Sequence, residues 1–480
     1  MWKHLRQLTK ESVIYGFSGA MTAIVSMVLV PLYTKTFRPE QYGVIDLVTS
    51  TMNVLTIFAV LGLDNSAHRW YWQHEDEHER RRTIATWAWT NIVTNTTLGA
   101  LVFALAPQVA SLLSSSATNA DFFRLGALTL PLGALAIVTS GWLRMRRKPY
   151  MAVAFTVTTS LAIVGFSVLF VKALHWGLHG VMWGLVAGDI AVTLMGLWLL
   201  RDVLRPGQFD SSRLPEMLRY SMPLLPAALA GWAITGAARY FVLYLTGAEG
   251  QHNVGVYAVG SKVATVAFLV TVAFQTAWGP FAMSLHKRPE ARRVYAGAMV
   301  LYVWVMCLLA TAITLFAPEI LHLIAKPEYY GAEPVVGLLA FSFIFIGLKF
   351  ISSIGLNIVK DTRPIGLSVS LAFIAFAAFA AILVPRFGIA GAALSTLLSQ
   401  ALIPLYLFWR AQHEYPVPYR FGTAALIMFI AALASWIGYS AGLHGWQGAL
   451  LKAGLLAVVA VTGLLLRDSL HTVEDVVTTA

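Results

Sequence analysis

The sequence predicts an all-α integral membrane protein of about 14 transmembrane helices, with two six-helix lobes around a central cavity and two further helices at the C-terminus. Composition predicts the class, because 58% of the 480 residues are hydrophobic and only 12% are charged, about half the charged share of a soluble domain. Apolar segments of membrane-spanning length predict the helices. A match of the chain with itself, at an offset of about 211 residues, predicts the two lobes.

Fourteen segments hold the roughly 20 mainly apolar residues that a helix needs to cross a bilayer. They are residues 12–34, 44–67, 83–106, 121–143, 151–173, 180–200, 220–245, 254–278, 294–317, 335–359, 365–384, 390–409, 421–443 and 448–466. The connections between them are short and leave no room for a soluble domain. The expected organisation is an N-lobe over 1–200, a cytoplasmic linker over 201–219, a C-lobe over 220–410, two added spans over 421–466 and a cytoplasmic tail over 467–480.

Positive charge predicts the orientation of these spans, because cytoplasmic loops are enriched in Lys and Arg. With the N-terminus inside, 24 of the 34 Lys and Arg residues fall in inner segments, seven in outer loops or at the outer ends of spans, and three deeper within spans. We therefore expect a protein of the bacterial cytoplasmic (inner) membrane with both termini in the cytoplasm. The net charge of +11 is explained by this bias, so no nucleic-acid partner is expected.

The internal repeat relates the first six spans to the next six. The matching stretches are Tyr42-Gly43-Val44 with Val254-Gly255-Val256, Pro107 with Pro318, Lys148-Pro149 with Arg363-Pro364, and 177–180 with 388–391. Because the offset covers an even number of spans, the two halves share one topology. Parallel repeats of this kind in transporters place a binding site near the bilayer midplane. The last two spans have no counterpart in the repeat.

Two short motifs resemble sites of soluble enzymes, and their context argues against both. His74-Glu75-Asp76-Glu77-His78 matches the H-E-x-x-H zinc pattern but lies in a charged inner loop with no surrounding domain. Residues 255–262 approach a Walker A loop, but their Ser and Lys are reversed and lie in an apolar span. The single cysteine, Cys307, excludes disulfides and cysteine-based metal sites. We expect no enzyme activity, no metal and no cofactor, and a coupling ion, H⁺ or Na⁺, stays an open alternative.

Ionisable residues inside the spans are candidates for a binding site. A charge at the bilayer centre costs at least roughly 2.5–3.5 kcal/mol, so it usually faces a cavity or a partner. Apart from charges at the ends of the spans, which can reach the membrane surface, we single out three cations, Arg239, Lys262 and Lys349, and two acids, Asp46 and Asp189. For the acids, structural pairing with one of the cations is the alternative to a role in binding. For Arg239, the alternative is snorkelling toward the outer surface.

Uncharged polar residues at helical spacing extend this set. The stripes are Asp46, Ser50 and Asn53 on span 2, Asn91 and Asn95 on span 3, and Tyr257, Ser261 and Thr265 on span 8. Helical spacing places each set on one face. Hydrogen bonding between helices explains a single stripe, whereas several stripes with cations nearby predict a hydrated central cavity. The predicted substrate-binding residues of this cavity are Arg239, Lys262, Lys349, Asp46, Asn53, Asp189 and Tyr257.

Several stretches occur in an order that is typical of one transporter family. They are residues 31–43 (PLYTKTFRPEQYG), 61–64 (LGLD), 254–262 (VGVYAVGSK) and 277–280 (AWGP). This order resembles the polysaccharide-transport (O-antigen, Wzx-type) flippases of the multidrug/oligosaccharidyl-lipid/polysaccharide (MOP) superfamily. The resemblance implies alternating access and a lipid-linked oligosaccharide, usually on undecaprenyl pyrophosphate, that moves to the outer leaflet during cell-surface polysaccharide and lipopolysaccharide biosynthesis. Many relatives carry an Asp-Arg pair in span 7, where this chain has Ala238-Arg239, so only the arginine carries over.

Other functions stay open at the level of sequence. A multidrug or small-molecule exporter of the same superfamily would favour an acidic cavity for cationic drugs, whereas the candidate charges here lean basic. A lipid II flippase would fit fourteen spans, and a membrane polysaccharide polymerase or ligase would need a large outer loop that the sequence lacks. The expected partners are the lipid-linked oligosaccharide and membrane lipids, with polysaccharide polymerase or assembly proteins as further candidates.

Overall fold

A computed structural model describes residues 27–442 and 445–466 of the chain, together with Met21 and Val25. All regular elements of these residues are helices, which confirms the all-α prediction. Many of the helices carry proline in the first turn, where its missing N–H would have no partner in any case. The predicted start of span 1 and the predicted cytoplasmic tail, 467–480, lie outside the described residues.

Contacts divide the chain into two compact units, one within residues 17–255 and one within 256–480. We call them the N-terminal unit and the C-terminal unit. The N-terminal unit contains α1 (Leu29–Thr36), α2 (Pro39–Val60), α3 (Leu63–Gln73), α4 (Glu77–Ala104), α5 (Ala106–Ser114), α6 (Ala120–Met145), α7 (Pro149–Val168), α8 (Gly177–Leu200), α9 (Leu214–Ser221), α10 (Leu225–Gly236) and α11 (Ala238–Leu245). Helix α12 (Gly250–Leu285) begins in this unit. The C-terminal unit contains the rest of α12 and α13 (Ala291–Leu315), α14 (Ala317–Ile324), α15 (Glu333–Ser352), α16 (Ile354–Val359), α17 (Arg363–Glu414), α18 (Phe421–Ala441) and α19 (Gly445–Val461).

Ten of the described helices are long and apolar enough to cross a membrane, and up to twelve spans result if each of two bent pairs counts as one. The bent pairs are Glu77–Ala104 with Ala106–Ser114, at 81°, and Leu214–Gly236 with Ala238–Leu245, at 49°. Helix α17 has a further break at Gly388, so its 52 residues hold predicted spans 11 and 12. Helices thus correspond to thirteen of the fourteen predicted spans, and the chain is a multi-pass membrane protein.

The two halves share local features at corresponding positions, as the internal repeat predicts. Short helices α5 and α14 both begin with Ala-Pro, and each follows a residue outside helical geometry, Leu105 (φ −94°, ψ 17°) or Phe316 (φ −97°, ψ 6°). Gly177 and Gly388 have φ values of 57° and 56°, a left-handed conformation that glycine adopts without steric cost. Each pair is separated by 211 residues.

Loops that were predicted on one side of the membrane contact one another in the N-terminal unit. His252 Nδ1 lies 2.8 Å from Glu40 Oε1, and both residues belong to predicted outer ends. Arg146 pairs at 3.6 Å with Glu77, and both belong to predicted inner loops. These contacts agree with spans that alternate in direction. The assignment of one side to the cytoplasm stays a prediction.

The linker between the two sequence repeats is bound to the N-terminal unit. Asp210 accepts a hydrogen bond of 2.6 Å from the Ser212 hydroxyl and pairs with Arg82 at 3.1 Å and Arg213 at 3.6 Å. Arg213 also pairs with Glu79. The Ser212 hydroxyl and the Arg82 guanidinium hold the pKa of Asp210 below its ordinary value. These bonds join the linker to the N-terminal unit, which also includes predicted span 7, whereas the predicted N-lobe and C-lobe limits describe the sequence repeat.

The two added spans are integral parts of the C-terminal unit. Helix α18 packs on α13, where the Thr311 hydroxyl donates to the Ala431 carbonyl at 3.4 Å. Lys452 of α19 is 5% exposed and pairs with Glu319 of α14. The apolar sides of α13, α15, α17 and α18 enclose a groove, which is described below.

Candidate substrate-binding site

Arg239 and Asp46 form an ion pair inside the N-terminal unit. Arg239 lies in the first turn of α11, directly after the 49° bend that separates α10 from α11. Its Nε donates to Asp46 Oδ2, and its Nη1 donates to the Thr235 carbonyl at 3.1 Å. The side chains of Arg239 and Asp46 are 14% and 7% exposed. The fold thus brings together two predicted site residues that lie 193 positions apart.

A second hydrogen bond joins the same two helices one residue further on. The Tyr240 hydroxyl lies 2.8 Å from Thr51 Oγ1, and Thr51 donates its own proton to the Leu47 carbonyl at 2.7 Å. Tyr240 is therefore the donor in its bond with Thr51. Helix α11 is held to α2 by one charged and one uncharged contact.

The acid that pairs with the arginine is not the one that the family resemblance suggested. Many relatives carry the acid next to the arginine in sequence, where this chain has Ala238. Asp46 supplies the carboxylate from α2 instead. Of the two readings left open for Asp46, pairing with a cation is the one observed, and in this conformation the pair carries no net charge.

Asp189 and Asn53 belong to the same unit but not to the pair. Asp189 is half-buried on α8, and its carboxylate has no hydrogen-bonding or ion-pairing partner among the residues that the structure describes. Its backbone carbonyl accepts a bond of 2.7 Å from the Thr193 hydroxyl. Asn53 lies two turns after Asp46 on α2 and is exposed. The structure therefore pairs Asp46 with a cation but leaves Asp189 without one.

The other three predicted site residues belong to the C-terminal unit. Lys262 is exposed on α12. Lys349 is half-buried on α15, with Nζ 4.8 Å from the centre of the Phe350 ring, within the range of a cation–π contact. Tyr257 is 1% exposed, so its ring contributes to packing and is closed to a substrate in this conformation. That Tyr257 lines a cavity stays a prediction, since burial of a large ring is favourable in its own right.

The polar stripe of predicted span 3 is internal and does not line an open cavity. Asn91 and Asn95 on α4 are 0% and 1% exposed. Each side-chain amide donates to the backbone carbonyl four residues earlier, at 3.1 and 2.8 Å. Such local bonds to the backbone need no partner helix, while both Oδ1 atoms are buried and accept no hydrogen bond within the described residues. Spacing alone therefore overestimated the extent of the hydrated surface.

An apolar groove in the C-terminal unit is the feature that sequence reasoning missed. Its volume is about 450 Å³, and four helices, α13, α15, α17 and α18, form its walls. Large apolar side chains dominate the lining, among them Leu338, Phe341, Phe345, Leu397, Met428 and Trp436. Glu333 and Pro334 lie in its lining at the start of α15. The sequence offers only indirect evidence for the groove, because one of its walls, α18, belongs to the two added spans that have no counterpart in the repeat.

The two enzyme-like motifs do not form the sites that they resemble. His74 is the C-cap that follows α3, in extended backbone, and His78 lies in the first turn of α4, with Asp76 as the N-cap between them. The H-E-x-x-H site requires both histidines on one helix, so this arrangement lacks its geometry. Among the described residues, no group of three or more His, Cys, Asp or Glu side chains could hold a metal ion. Residues 255–262 lie in the continuous helix α12, so they form no phosphate-binding loop.

Comparison with solved structures shows the fold. The chain is similar to a structure of the lipid II flippase MurJ in an inward closed conformation, with a TM-score of 0.73 and 10% identity, over 96% of this chain and 99% of that one. It is also similar to an inward-facing multidrug resistance MATE family transporter of the MOP superfamily, with a TM-score of 0.68 and 14% identity, over 84% and 97%. At these identities the likeness establishes a MurJ- and MATE-like fold.

Comparison of sequences shows the family. An uncharacterized membrane protein of Methanocaldococcus jannaschii is 28% identical over 104 residues, which are 21% of this chain and 20% of that protein. This match spans only a fifth of the relative. The family model described as "Polysaccharide biosynthesis protein" matches residues 8–286, more than half of the chain. The chain therefore belongs to the polysaccharide biosynthesis protein family, with the fold of MOP superfamily transporters.

Proposed function

We propose that this protein moves a lipid-linked oligosaccharide, of the undecaprenyl-pyrophosphate type, across the cytoplasmic membrane by alternating access. Membership of the polysaccharide biosynthesis family supports the substrate class, and the MurJ- and MATE-like fold supports a transport mechanism. Such a substrate has three chemically distinct parts, a long hydrocarbon chain, an anionic pyrophosphate and a glycan. Features of the protein that fit these parts support the proposal.

The apolar groove of the C-terminal unit is the observation that carries the proposal. A long polyprenyl chain separates a lipid-linked substrate from a small soluble one, and it needs an apolar surface along the protein. The groove offers about 450 Å³ of such space between membrane-spanning helices. Apolar surface that leaves water contributes roughly 25 cal/mol per Å² to the binding free energy. In a membrane the surface leaves lipid instead, so the binding free energy comes from shape complementarity and van der Waals contact. The groove therefore guides the chain while the headgroup crosses.

The basic residues of the spans suit the pyrophosphate. Arg239, Lys262 and Lys349 are the predicted cations of the site, and each carries donors that suit phosphate oxygens. A hydrogen bond to a charged group contributes roughly 1.5–3 kcal/mol. We expect Arg239→Gln and Lys262→Gln to weaken substrate binding about tenfold or more, in keeping with that range. Lys262→Arg should keep part of the function, because the charge survives while its geometry changes. Lys349→Gln should have the smaller effect.

Two other transport functions are alternatives to the proposed one. A multidrug exporter would carry organic cations, and the MATE fold is compatible with that activity. A lipid II flippase would carry another polyprenyl-pyrophosphate saccharide, and the MurJ fold is compatible with it. Family membership favours the oligosaccharide over both, because the matching family is that of polysaccharide biosynthesis.

The test is translocation in proteoliposomes of a fluorescent lipid-linked oligosaccharide, followed by a membrane-impermeant quencher. Ala432→Trp fills the groove and should abolish most translocation of the full-length polyprenyl substrate. It should leave a short-chain analogue close to the wild-type rate. Leu433→Trp, at a neighbouring exposed position outside the groove lining, is the matched control and should transport both.

Three results would contradict the proposal. Export of a cationic drug without translocation of the glycolipid would establish the drug exporter. Translocation of lipid II alone would establish the lipid II flippase. Equal rates for the Ala432→Trp and Leu433→Trp variants on the full-length substrate would remove the groove from the mechanism.

A further inference from the structure

We propose that Asp46 and the substrate's pyrophosphate compete for Arg239. Asp46 pairs with Arg239 while the site is empty, and the pyrophosphate displaces it when substrate binds. The inference rests on the proposed function, because it assigns regulation to the same cation. It also goes beyond it, because a fixed structural ion pair would not change during transport.

The chemistry of the two anions makes them competitors for one guanidinium. The planar donor fork of arginine matches carboxylate and phosphate oxygens in the same way. In this conformation Arg239 Nε is bound to Asp46 Oδ2, so this donor is in use. A pyrophosphate that binds Arg239 through the same edge must displace the carboxylate. Because pyrophosphate carries more charge than a carboxylate, it is the stronger ligand for the same cation.

Burial makes the exchange reversible. The side chain of Asp46 is 7% exposed, and a carboxylate that loses its partner in such a place is destabilised. The bound state therefore carries an opposing contribution from Asp46, which returns to Arg239 when substrate leaves. The pair lowers the affinity for pyrophosphate and favours its release. A site made only of free cations would bind more tightly and release more slowly.

The neighbouring contact supplies a control that separates charge from anchoring. Tyr240 and Thr51 also join α11 to α2, through hydroxyl groups that carry no charge. If Asp46 serves only to fix α11 on α2, loss of the tyrosine hydroxyl should have the same kind of effect as loss of the carboxylate. If Asp46 competes with phosphate, only loss of the carboxylate should change the affinity for an anion.

The experiment measures binding of inorganic pyrophosphate to the purified full-length protein, and glycolipid translocation in proteoliposomes. Asp46→Asn keeps the shape and an acceptor oxygen but removes the charge. It should bind pyrophosphate about tenfold more tightly, the factor that corresponds to one charge-assisted bond, and should translocate more slowly. Tyr240→Phe should keep the wild-type pyrophosphate affinity. Asp46→Glu, which keeps the competing charge, should also bind pyrophosphate as the wild type does.

The outcomes are distinguishable. Unchanged or weaker pyrophosphate binding by folded Asp46→Asn protein overturns the exchange and leaves a structural pair. Tighter binding by Tyr240→Phe as well would show that mobility of α11, and not charge, sets the affinity, which also overturns it. Should the Asn variant not fold, Asp46→Thr removes the same charge and must show the same tightening. Unchanged pyrophosphate binding by Arg239→Gln would instead remove Arg239 from the proposed substrate site, whatever Asp46 does.

Discussion

Gly255 lies so close to α2 that a single methyl group should force the two helices apart. A Cβ at this position would lie 2.6 Å from the carbonyl carbon of Pro39, whereas ordinary contact begins at 3.4 Å. The first two turns of α12 and the start of α2 must then separate by at least 0.8 Å, because the Pro39 carbonyl oxygen would lie closer still to the added Cβ. The same ends carry the bond between His252 and Glu40, at 2.8 Å, which the separation would strain.

The expected size of this effect follows from the cost of overpacking. Forcing a methyl into a closely packed contact costs roughly 1–3 kcal/mol. Replacing glycine by alanine inside a helix normally gains roughly 0.5–1 kcal/mol. Gly279→Ala provides the matched control, because Gly279 lies in the same helix and has no atom within 4 Å of its added Cβ. Gly255→Ala should therefore be less stable than the wild type, while Gly279→Ala should be slightly more stable.

Two measurements check this prediction. Thermal unfolding of the purified protein should place Gly255→Ala below the wild type and Gly279→Ala at or above it. Cross-linking of a Glu40→Cys/His252→Cys pair by a short bifunctional reagent should be slower with Gly255→Ala than with Gly279→Ala. The native Cys307 is buried, so it adds little background. Equal stability and equal cross-linking of the two alanine variants would refute the close contact.

Three further predictions concern other parts of the molecule. Asp210→Asn should lower the free energy of unfolding at neutral pH by roughly 1–3 kcal/mol. Because the folded state lowers the pKa of Asp210, the wild type should lose this advantage as pH falls through that pKa. Denaturant titrations at several pH values should therefore show that the free energy of unfolding depends less on acidic pH in the variant. Glu319→Gln should lower the unfolding temperature more than Lys452→Met, since it leaves a buried ammonium without its carboxylate; the reverse order would show that the pair contributes by packing alone. His74→Ala with His78→Ala should leave translocation nearly unchanged, because His74 lies in the turn after α3 and His78 in the first turn of α4, and a loss of transport that zinc restores would contradict this.

The candidate site shows which features of a membrane protein can be predicted from sequence patterns and which cannot. Arg239 was identified as an intramembrane charge and Asp46 as an acid with two possible roles. Their pairing depends on a contact between α11 and α2 across 193 positions of the sequence. Asn91 and Asn95 show the opposite error, since helical spacing indicated a hydrated face and packing buried it. Spacing gives the face of one helix, but the neighbour of that face depends on residues far away in sequence.

The membrane class, nearly all of the spans and the repeat could be predicted from the amino-acid sequence. These properties depend on local composition and on short motifs at a fixed offset, so they need no knowledge of packing. Only the tertiary structure decided that the linker joins the N-terminal unit through Asp210, that Asp46 is the partner of Arg239, and that four helices enclose an apolar groove. The physical reason is that lipid-facing and protein-facing sides of a span are equally apolar, so hydrophobicity indicates that a helix crosses the membrane but not which helices it contacts.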